Sequence, residues 1–578
     1  MSTNDGEDFS FKDYFTPLTT TKVIVGIILI GLMVFSLMLF NGFVDDDTYQ
    51  IIQNPGIRQL ANIPKFFLYS DLGPMIGAYY RPISNTVMAL EFSVFTTHPF
   101  GYHLVQLILH ITVTILLFLL FKKFVSIGIS FCLAVVFLVH PLNVESVAYI
   151  SMTQETLFML FGLLAVHCVM WPTKHSKRFI LLAVFLLLSL LSKETGIIFV
   201  ILAFIAAVIA KNHKERLAIV TATSASLVLY GLLRLLANIA IDKPAIAPIM
   251  TLDLPQRLLH VPLILQYFLS NFLIPHHLIA NQSWTITTAN LANFFGPLIG
   301  MLGIFGIVAM IVVLVYRKHR QYKLPLVLFS GWLMVALGIH THIIPLDMTV
   351  ADRWFYAPVA AILGIIGVVA STVSLPKKYL QYVLSIAVIV ITLLSIRTMV
   401  RITNWKDGLT LARHDIQIVS RDDFLLEKRY GTELMQSGDL PAAADHLQKA
   451  TTIFPGNSGT WNNLGTIYLR QGDLTRAKEA FQRSIDIDHY FGAYQNLAYL
   501  YLKHDDPQLA KSFIQQALIV HPNSGMLWFY LTATELKLQN SSEAVTAAER
   551  YYRLSKNQQS QVIYSRLSQG LPVTIDIN

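Results

Sequence analysis

The sequence predicts an all-α protein in which a polytopic bundle of membrane helices precedes a soluble α-solenoid of helical repeats. Three observations lead to this prediction. Hydrophobic residues make up 54% of the 578 residues and charged residues only 13%, which is well below the charged share of a soluble domain. Apolar runs of membrane-spanning length follow one another up to about residue 400 and then stop. Short motifs recur at a regular interval in the polar remainder.

Eleven apolar segments are predicted to span the membrane, since a helix needs roughly 20 apolar residues to cross the hydrocarbon core. A further apolar segment, 257–274, contains Pro262 and is followed by Pro275. We expect this segment to be a re-entrant or interfacial helix. The eleven predicted spans cover residues 22–41, 102–121, 126–143, 153–171, 178–192, 195–210, 217–236, 294–316, 324–343, 354–373 and 379–397.

Basic clusters set the expected orientation, because Lys and Arg accumulate in cytoplasmic loops. With the N-terminus inside and 257–274 not spanning, every basic cluster between spans faces the cytoplasm, including the one at 317–323. An odd number of spans then places the repeats outside. Compact loops favour a bacterial inner membrane with periplasmic repeats over an endoplasmic reticulum membrane with lumenal ones. The net charge of +8 lies mostly in such loops, which argues against nucleic acid as a partner.

The break in composition near residue 400 defines the predicted domains. The polar, acidic N-terminus is unlike a cleavable signal peptide, and we expect a cytoplasmic tail. Cys132 and Cys168 both lie within apolar segments, so no disulfide framework is implied. The predicted divisions are a tail at 1–21, a membrane domain at 22–400 with its first outer loop at 42–101, a linker at 401–425, repeats at 426–558 and a C-terminal tail at 559–578.

Self-similarity after residue 425 identifies the repeats as tetratricopeptide (TPR) repeats. Gly438 and Asp439 recur 34 residues later as Gly472 and Asp473, and 34 residues is the TPR period. Three to four helix pairs are near the minimum for a stacked core. We expect their concave groove to bind an extended peptide or a protein partner. A structural cap or a dimerisation surface is the alternative.

Carboxylates beside the first span are the leading candidates for catalysis, because ionisable groups near a membrane are rare without a function. Asp45, Asp46 and Asp47 directly follow the span. One carboxylate would act as general base on an acceptor hydroxyl, and Asp46 with Asp47 would be the ligands if a divalent cation (Mg²⁺ or Mn²⁺) takes part. No cofactor is required by the sequence. A solvated acidic flank of the span is the alternative.

Other ionisable side chains fall on the same predicted outer face. Arginine presents a planar fork of donors that suits phosphate oxygens. His110 shares a helix face with His103, and we expect it to be an interhelical hydrogen-bond partner. Internal ion pairs, such as Lys193 with Glu194, are the alternative to a ligand site. The candidates for phosphate binding are Arg81, Lys193, Arg234 and Arg353, and the further site candidates are His103, His140, Glu145, Glu194 and Asp352.

The order and spacing of several short motifs resemble a known family, the TPR-containing transmembrane O-mannosyltransferases of the GT-C superfamily, which also includes protein O-mannosyltransferases and aminoarabinose–lipid A transferases. The resemblance runs from the first span through the repeats. Gln106 stands where Asn is usual, Asp352 where Glu is usual, and the repeat array is short. The motifs are Phe43-Val44, Asp46-Asp47, Asn54-Pro55, Tyr80-Arg81-Pro82, the run 99–103, His110, His140-Pro141 with Glu145, Ser192-Lys193-Glu194 and Asp352-Arg353.

This resemblance implies an inverting transfer of a sugar from a polyprenyl-phosphate donor to a hydroxyl group on the outer side of the membrane. A mannose-like hexose and a protein acceptor are favoured. Measured back from Asn54-Pro55, the family's acidic pair assigns Asp46 as base and Asp47 as its support. Arg81, Lys193 and Arg353 would hold the donor phosphate. The absence of a Rossmann or P-loop motif also favours a lipid-linked donor over a nucleotide sugar.

Two other classes of function are weighed against the transferase. A non-catalytic membrane scaffold would recruit exported proteins through its repeats and would not need the acidic triplet. A transporter would show duplicated halves with broken helices at the midplane, whereas the polar groups here gather at one face. Within the transferase class, a lipid or glycan acceptor is the main variant.

Overall fold

A computed structural model describes residues 17–68, 79–171, 177–239, 245–374, 376–504 and 506–577. Most of the predicted N-terminal tail and residues 69–78 of the first outer loop lie outside these ranges. Within them the chain is helical, and the one extended pairing is an isolated antiparallel bridge between Gln282 and Val350. The all-α prediction is therefore confirmed.

The chain divides into two compact units, Met1–Lys243 with Ile249–Ser420, and Pro244–Pro248 with Arg421–Asn578. The first unit contains the apolar helices of a multi-pass membrane protein. Its helices are α1 (Thr20–Phe35), α2 (Pro82–Phe95), α3 (Pro99–Phe121), α4 (Ile127–Leu138), α5 (Val144–Ala148), α6 (Thr153–Val169), α7 (Lys177–Ser192), α8 (Ile197–Ile209), α9 (His213–Leu236), α10 (Leu254–Leu258), α11 (Val261–Leu273), α12 (Gly296–Lys318), α13 (Lys323–Gly338), α14 (Tyr356–Ala370), α15 (Lys377–Asn404) and α16 (Gly408–Ile418).

A helix is present at each of the eleven predicted spans, but the count of eleven is not confirmed. Seven described helices are long and apolar enough to cross a membrane, and there are eight if α4 and the helical residues after it, bent by 51°, form one span. α7, α8 and α13 have 16, 13 and 16 residues, short of the roughly 20 that a span needs. The 257–274 segment forms α10 and α11, and α11 has only 13 residues.

Close packing of the membrane helices depends on small residues at a few contacts. Gly162 of α6 faces the ring of Phe199 in α8, and a Cβ atom at this position would lie 2.0 Å from the ring. Only glycine therefore allows α6 and α8 to approach this closely. This contact brings α8, the helix that follows Lys193, against α6.

The second unit consists of paired helices, as the predicted TPR solenoid requires. The repeated Gly-Asp motif has a clear structural cause. Gly438 and Gly472 have φ of 92° and 82°, a left-handed conformation that ends a helix. The side chains of Asp439 and Asp473 each accept a hydrogen bond from the backbone N–H of the residue three positions later, and so begin the next helix. The helices are α17 (Phe424–Ser437), α18 (Leu440–Ile453), α19 (Ser458–Arg470), α20 (Leu474–Asp488), α21 (Phe491–His504), α22 (Pro507–Val520), α23 (Gly525–Lys537), α24 (Ser541–Ser555) and α25 (Gln558–Ser568).

Candidate active site

The predicted site residues all belong to the membrane unit, and most lie where one helix gives way to the next. Asp45–Asp47 follow the first span, and Arg81 immediately precedes α2. Lys193 and Glu194 separate α7 from α8, and Arg353 lies in a 3₁₀ turn that leads into α14. Connections positioned by rigid helices are common places for catalytic groups.

Asp47 is completely buried and both of its carboxylate oxygens are engaged. Oδ1 accepts hydrogen bonds from the backbone N–H and the hydroxyl of Ser151 at 2.7 and 2.5 Å. Oδ2 accepts from the backbone N–H of Val44 at 3.0 Å. Burial raises the pKa of Asp47 to about 7, although these bonds oppose the shift. Through these contacts Asp47 joins the loop after the first span to the 3₁₀ turn that precedes α6.

Asp46 is only half-buried, and its surroundings suit proton exchange. Its backbone N–H donates to the hydroxyl of Tyr149 at 3.0 Å. Burial, together with the negative charge of Asp45, raises the pKa of the Asp46 carboxyl to about 7. The positive charge of Arg353 acts in the opposite direction. A base with a pKa near the operating pH is well placed for general base catalysis.

Asp45 has a left-handed backbone, with φ of 46°. Asp tolerates this conformation better than most residues do. The chain turns at this residue, and the backbone N–H of Thr48 donates to the Asp45 carbonyl at 3.2 Å. The turn lies between the end of the first span and Asp46, and non-glycine residues held in this region are frequent at functional sites.

Lys193 and Arg353 are held in buried ion pairs. The Lys193 ammonium pairs with Glu155 of α6, and the Arg353 guanidinium pairs with Glu145 and with the Asn281 side chain. The Arg353 backbone N–H also donates to Glu145 at 2.9 Å, and Arg353 Nε lies 4.0 Å from the Glu155 carboxylate. These contacts tie α5 and α6 to the Lys193 connection, the Asn281 connection and the turn that carries Arg353. The alternative of internal ion pairs thus applies to Lys193 and Arg353, and the partner of Lys193 is Glu155 and not the adjacent Glu194.

Arg81 and Arg234 share one partly exposed carboxylate. Arg81 Nε lies 3.2 Å from Glu194, and Arg234 Nη1 lies 3.9 Å from the other oxygen of Glu194. Arg234 also donates to the hydroxyl of Tyr230 at 3.1 Å. The side chains of Arg81, Glu194 and Arg234 are 20%, 36% and 37% exposed. They form a basic cluster, here called the arginine cluster, that solvent or a ligand reaches.

The remaining candidates have structural contacts. His140 caps the turn at Pro141–Asn143 and faces the carbonyl of Phe272 at 3.1 Å. Asp352 accepts a 2.6 Å hydrogen bond from Tyr267. His103 is completely buried in α3. His110 faces the hydroxyl of Tyr356 at 2.8 Å and the carbonyl of Leu138 at 3.0 Å, as expected of an interhelical hydrogen-bond partner.

Several further residues of the site are not among the predicted candidates. Glu155 could have been predicted, because a carboxylate inside an apolar segment indicates a functional or paired group. Tyr149 and Ser151 could not, because they are ordinary residues that only the packing brings to the aspartates. Asp347 and Tyr79 also belong to the site, and the Tyr79 hydroxyl donates to Asp347 at 2.5 Å.

The residues present do not fit the predicted divalent cation. Asp47 already uses both oxygens for protein donors, so Asp46 and Asp47 do not offer a pair of free carboxylates. Among the residues that the structure describes, no group of three or more His, Cys, Asp or Glu side chains is arranged to hold a metal ion.

Comparison with known proteins yields matches to both units. Residues 434–498 match the family model described as tetratricopeptide repeat. The protein O-mannosyl-transferase F38B6.6 of Caenorhabditis elegans is 29% identical over 205 residues, which are 34% of this chain and 29% of that protein. The human protein O-mannosyl-transferase TMTC3 is 24% identical over 519 residues, which are 79% of this chain and 54% of that protein.

A match to a solved structure extends over most of the chain. ArnT from Cupriavidus metallidurans, crystallised with undecaprenyl phosphate, is 12% identical with a TM-score of 0.41, and the match covers 86% of this chain and 80% of that one. A score at this level does not establish a shared fold. The chain spans about half the length, or less, of the curated relatives it matches. By its repeats, its apolar helices and its sequence, this chain is a TPR-containing multi-pass membrane protein similar to the TMTC-family protein O-mannosyl-transferases.

Proposed function

We propose that the protein is a membrane glycosyltransferase that moves a hexose, most simply mannose, from a polyprenyl-phosphate donor to a hydroxyl of a protein acceptor. The observation that carries the proposal is Asp46, a half-buried carboxyl with a pKa raised to about 7, in the unit that also contains the partly exposed arginine cluster. The names of the relatives, protein O-mannosyl-transferases, support the same reaction class. The orientation predicted from the basic loops assigns the reaction to the outer face.

Asp46 would act as the general base. Its ionised carboxylate takes the proton of an acceptor serine or threonine hydroxyl as the hydroxyl oxygen forms a bond to the anomeric carbon of the donor sugar. The bond from that carbon to the phosphate oxygen breaks at the same time. Attack from the face opposite the leaving group inverts the anomeric centre. The bonding electrons leave with polyprenyl phosphate, and Asp46 keeps the proton until it returns to water.

The arginine cluster is suited to the phosphate of the donor. Its three side chains carry a net charge of +1, because Arg81 and Arg234 share the single negative charge of Glu194. The phosphodiester of the donor carries one negative charge, and more charge develops on the leaving oxygen as the sugar departs. Positive groups aimed at such a charge lower the barrier. Arginine is the side chain best matched to phosphate oxygens.

Lys193 and Arg353 would have a different role from the one predicted. Both are at most 7% exposed and are already paired with buried carboxylates. A phosphate would have to displace these carboxylates to reach either residue. We therefore assign them to holding the connections of the site in place, while Arg353 also favours the ionised form of Asp46. Asp47 would fix the loop that carries Asp46.

The repeats would serve the acceptor. TPR arrays form a concave surface that binds extended chains, which suits a polypeptide whose serine or threonine side chains are to be modified. This step follows from the predicted side of the membrane, since an outer active site and outer repeats would meet the same exported proteins.

The test is release of polyprenyl phosphate from polyprenyl-phosphate-mannose by the purified full-length protein. Wild type is compared with Asp46→Asn, with an Asp47→Asn variant, and with the control Asp445→Asn, whose side chain is 69% exposed in the repeats. We expect Asp46→Asn to lower the rate by about a hundredfold or more, the usual contribution of a general base. Asp445→Asn should have no effect, and EDTA should leave the wild-type rate unchanged.

Three outcomes would contradict this proposal or part of it. Full activity in Asp46→Asn would remove the proposed base, and loss of activity in EDTA would show that a cation takes part. If wild type releases nothing from several sugar donors in the presence of acceptor extract, while the repeats still capture exported proteins, a membrane scaffold becomes the better explanation.

A further inference from the structure

Asp347 is a carboxylate of the site that takes no direct part in the proposed transfer step. It lies in the connection between α13 and the 3₁₀ turn that begins at Asp352, and it is half-buried. The hydroxyl of Tyr79 donates to Asp347 Oδ2 at 2.5 Å. This hydrogen bond joins two outer connections that are far apart in the chain. Hydrogen bonds to a charged acceptor are stronger than neutral ones.

Tyr79 connects Asp347 to the arginine cluster. The guanidinium of Arg81 lies over the Tyr79 ring, 4.3 Å from its centroid, in a cation–π contact. Arg81 then reaches Glu194 through Nε. Asp347 therefore fixes the ring on which the Arg81 guanidinium lies. Arg81 is held from one side by this ring and from the other by a carboxylate.

Asp347 also acts on the proposed base. Its negative charge adds to that of Asp45 in favouring the protonated form of Asp46, and it lowers the electrostatic potential at Arg81 and Arg353. The groups that face Asp46 are Asp45, Asp47, Tyr149, Asp347 and Arg353.

The connection that carries Asp347 is itself fixed. Arg257 donates to the carbonyls of His342 and Ile343 at 2.9 and 3.2 Å. The His342 ring faces the Thr349 carbonyl at 2.8 Å, and the Thr349 hydroxyl donates to the Trp284 carbonyl at 2.6 Å. These contacts hold the segment on both sides of Asp347. Such support is what a group needs if it is to orient another side chain.

We propose that Asp347 is a positioning residue that links the arginine cluster to the proposed base. Through Tyr79 it holds Arg81 in place for the donor phosphate, and its negative charge acts on Asp46. The inference rests on the proposed function for its role in turnover. It predicts two separable effects. The hydroxyl of Tyr79 contributes only to the first, and the charge of Asp347 contributes to both.

Kinetics of four variants separate the two effects. Tyr79→Phe should raise the donor KM about fivefold, the equivalent of one ordinary hydrogen bond, and leave the pH profile unchanged. Asp347→Asn should raise the donor KM and also move the acidic limb of the kcat/KM profile to lower pH. Asp347→Glu should restore the position of that limb. Tyr382→Phe, on a side chain that is 60% exposed in α15, is the matched control and should change neither quantity.

A second measurement does not require transferase activity. Carbodiimide labelling of Asp46, followed by peptide mass spectrometry, reports its protonated fraction at each pH. Asp347→Asn should lower the labelling of Asp46 at pH 7, whereas Tyr79→Phe should leave it unchanged. If wild type has no transferase activity but the labelling responds in this way, the proposed function fails and the electrostatic link stands. Unchanged labelling in Asp347→Asn, or an unchanged donor KM in an active Tyr79→Phe protein, would overturn the inference.

Discussion

The charge state of Asp46 gives the sharpest test of the proposed base. Burial and the neighbouring Asp45 raise its pKa from 3.8 to about 7. A general base acts in its ionised form, so kcat/KM should rise with pH up to about 7 and then level off. About one-tenth of the carboxyl is ionised at pH 6 and about nine-tenths at pH 8, which predicts a rise of roughly tenfold. An aspartate with an ordinary pKa is almost fully ionised at both pH values and would give a flat profile.

A substitution at Asp45 tests whether the acidic limb of the pH profile, the rise in kcat/KM up to about pH 7, reports the ionisation of Asp46. The negative charge of Asp45 raises the pKa of Asp46, whereas the pKa of Asp47 is raised mainly by burial. In Asp45→Asn the acidic limb should therefore move to lower pH if Asp46 is the titrating base. The limb should move much less if Asp47 is the titrating group. Asp445→Asn in the repeats should leave the whole profile unchanged.

The assay is initial-rate release of polyprenyl phosphate at low donor concentration, from pH 5.5 to 8.5 at constant ionic strength. Using kcat/KM restricts the profile to groups of the free protein and free donor. Titration of the released phosphate monoester, whose second pKa is about 6, then has no influence. A flat profile between pH 6 and 8 would refute the reasoning, as would an acidic limb that persists in the residual activity of Asp46→Asn.

Three further predictions concern other contacts. Lys193→Met leaves the Glu155 carboxylate buried without its ammonium partner. We therefore expect the free energy of unfolding, measured by denaturation in detergent, to fall by about 3 kcal/mol. Adding Glu155→Leu to this variant should recover part of the loss. Glu194→Gln removes the internal competitor of Arg81, so binding of polyprenyl phosphate, followed by native mass spectrometry, should tighten. Weaker binding would mean that Glu194 orients the arginines instead. Phe481→Ala empties a buried position in the repeats and should cost about 3 kcal/mol, seen as a lower thermal midpoint with transferase chemistry intact at low temperature.

The positions of the helices could be predicted from the sequence, whereas their lengths could not. Apolar runs report where helices lie, because burial in lipid requires apolar side chains along the whole segment. Where each helix ends depends on local backbone geometry that the runs do not show. The predicted span 126–143 illustrates this difference. α4 ends at Leu138, and the chain then bends by 51° at Pro141, which cannot donate a helical hydrogen bond.

The partners of charged residues were the least predictable part of the site. Lys193 and Glu194 are adjacent in sequence and opposite in charge, so the sequence allows an ion pair between them as the alternative to a ligand site. Adjacent residues do not face each other where a helix begins, because successive side chains are rotated by about 100°. In the structure Lys193 pairs with Glu155, 38 positions away, and Glu194 pairs with Arg81, 113 positions away. Such pairings are set by how the helices pack, which a single sequence does not show.

The division of the four predicted phosphate ligands follows from their charges. Lys193 and Arg353 each face a carboxylate of their own, so each pair is neutral and buried. Moving an anion to them would leave Glu145 or Glu155 without a partner, and an unpaired buried charge is strongly destabilising. In the arginine cluster two cations share one partly exposed carboxylate, so one positive charge is left over. Among these four residues, the donor phosphate therefore has the smallest barrier to binding at Arg81 and Arg234, and Glu194 is the group that it would have to move.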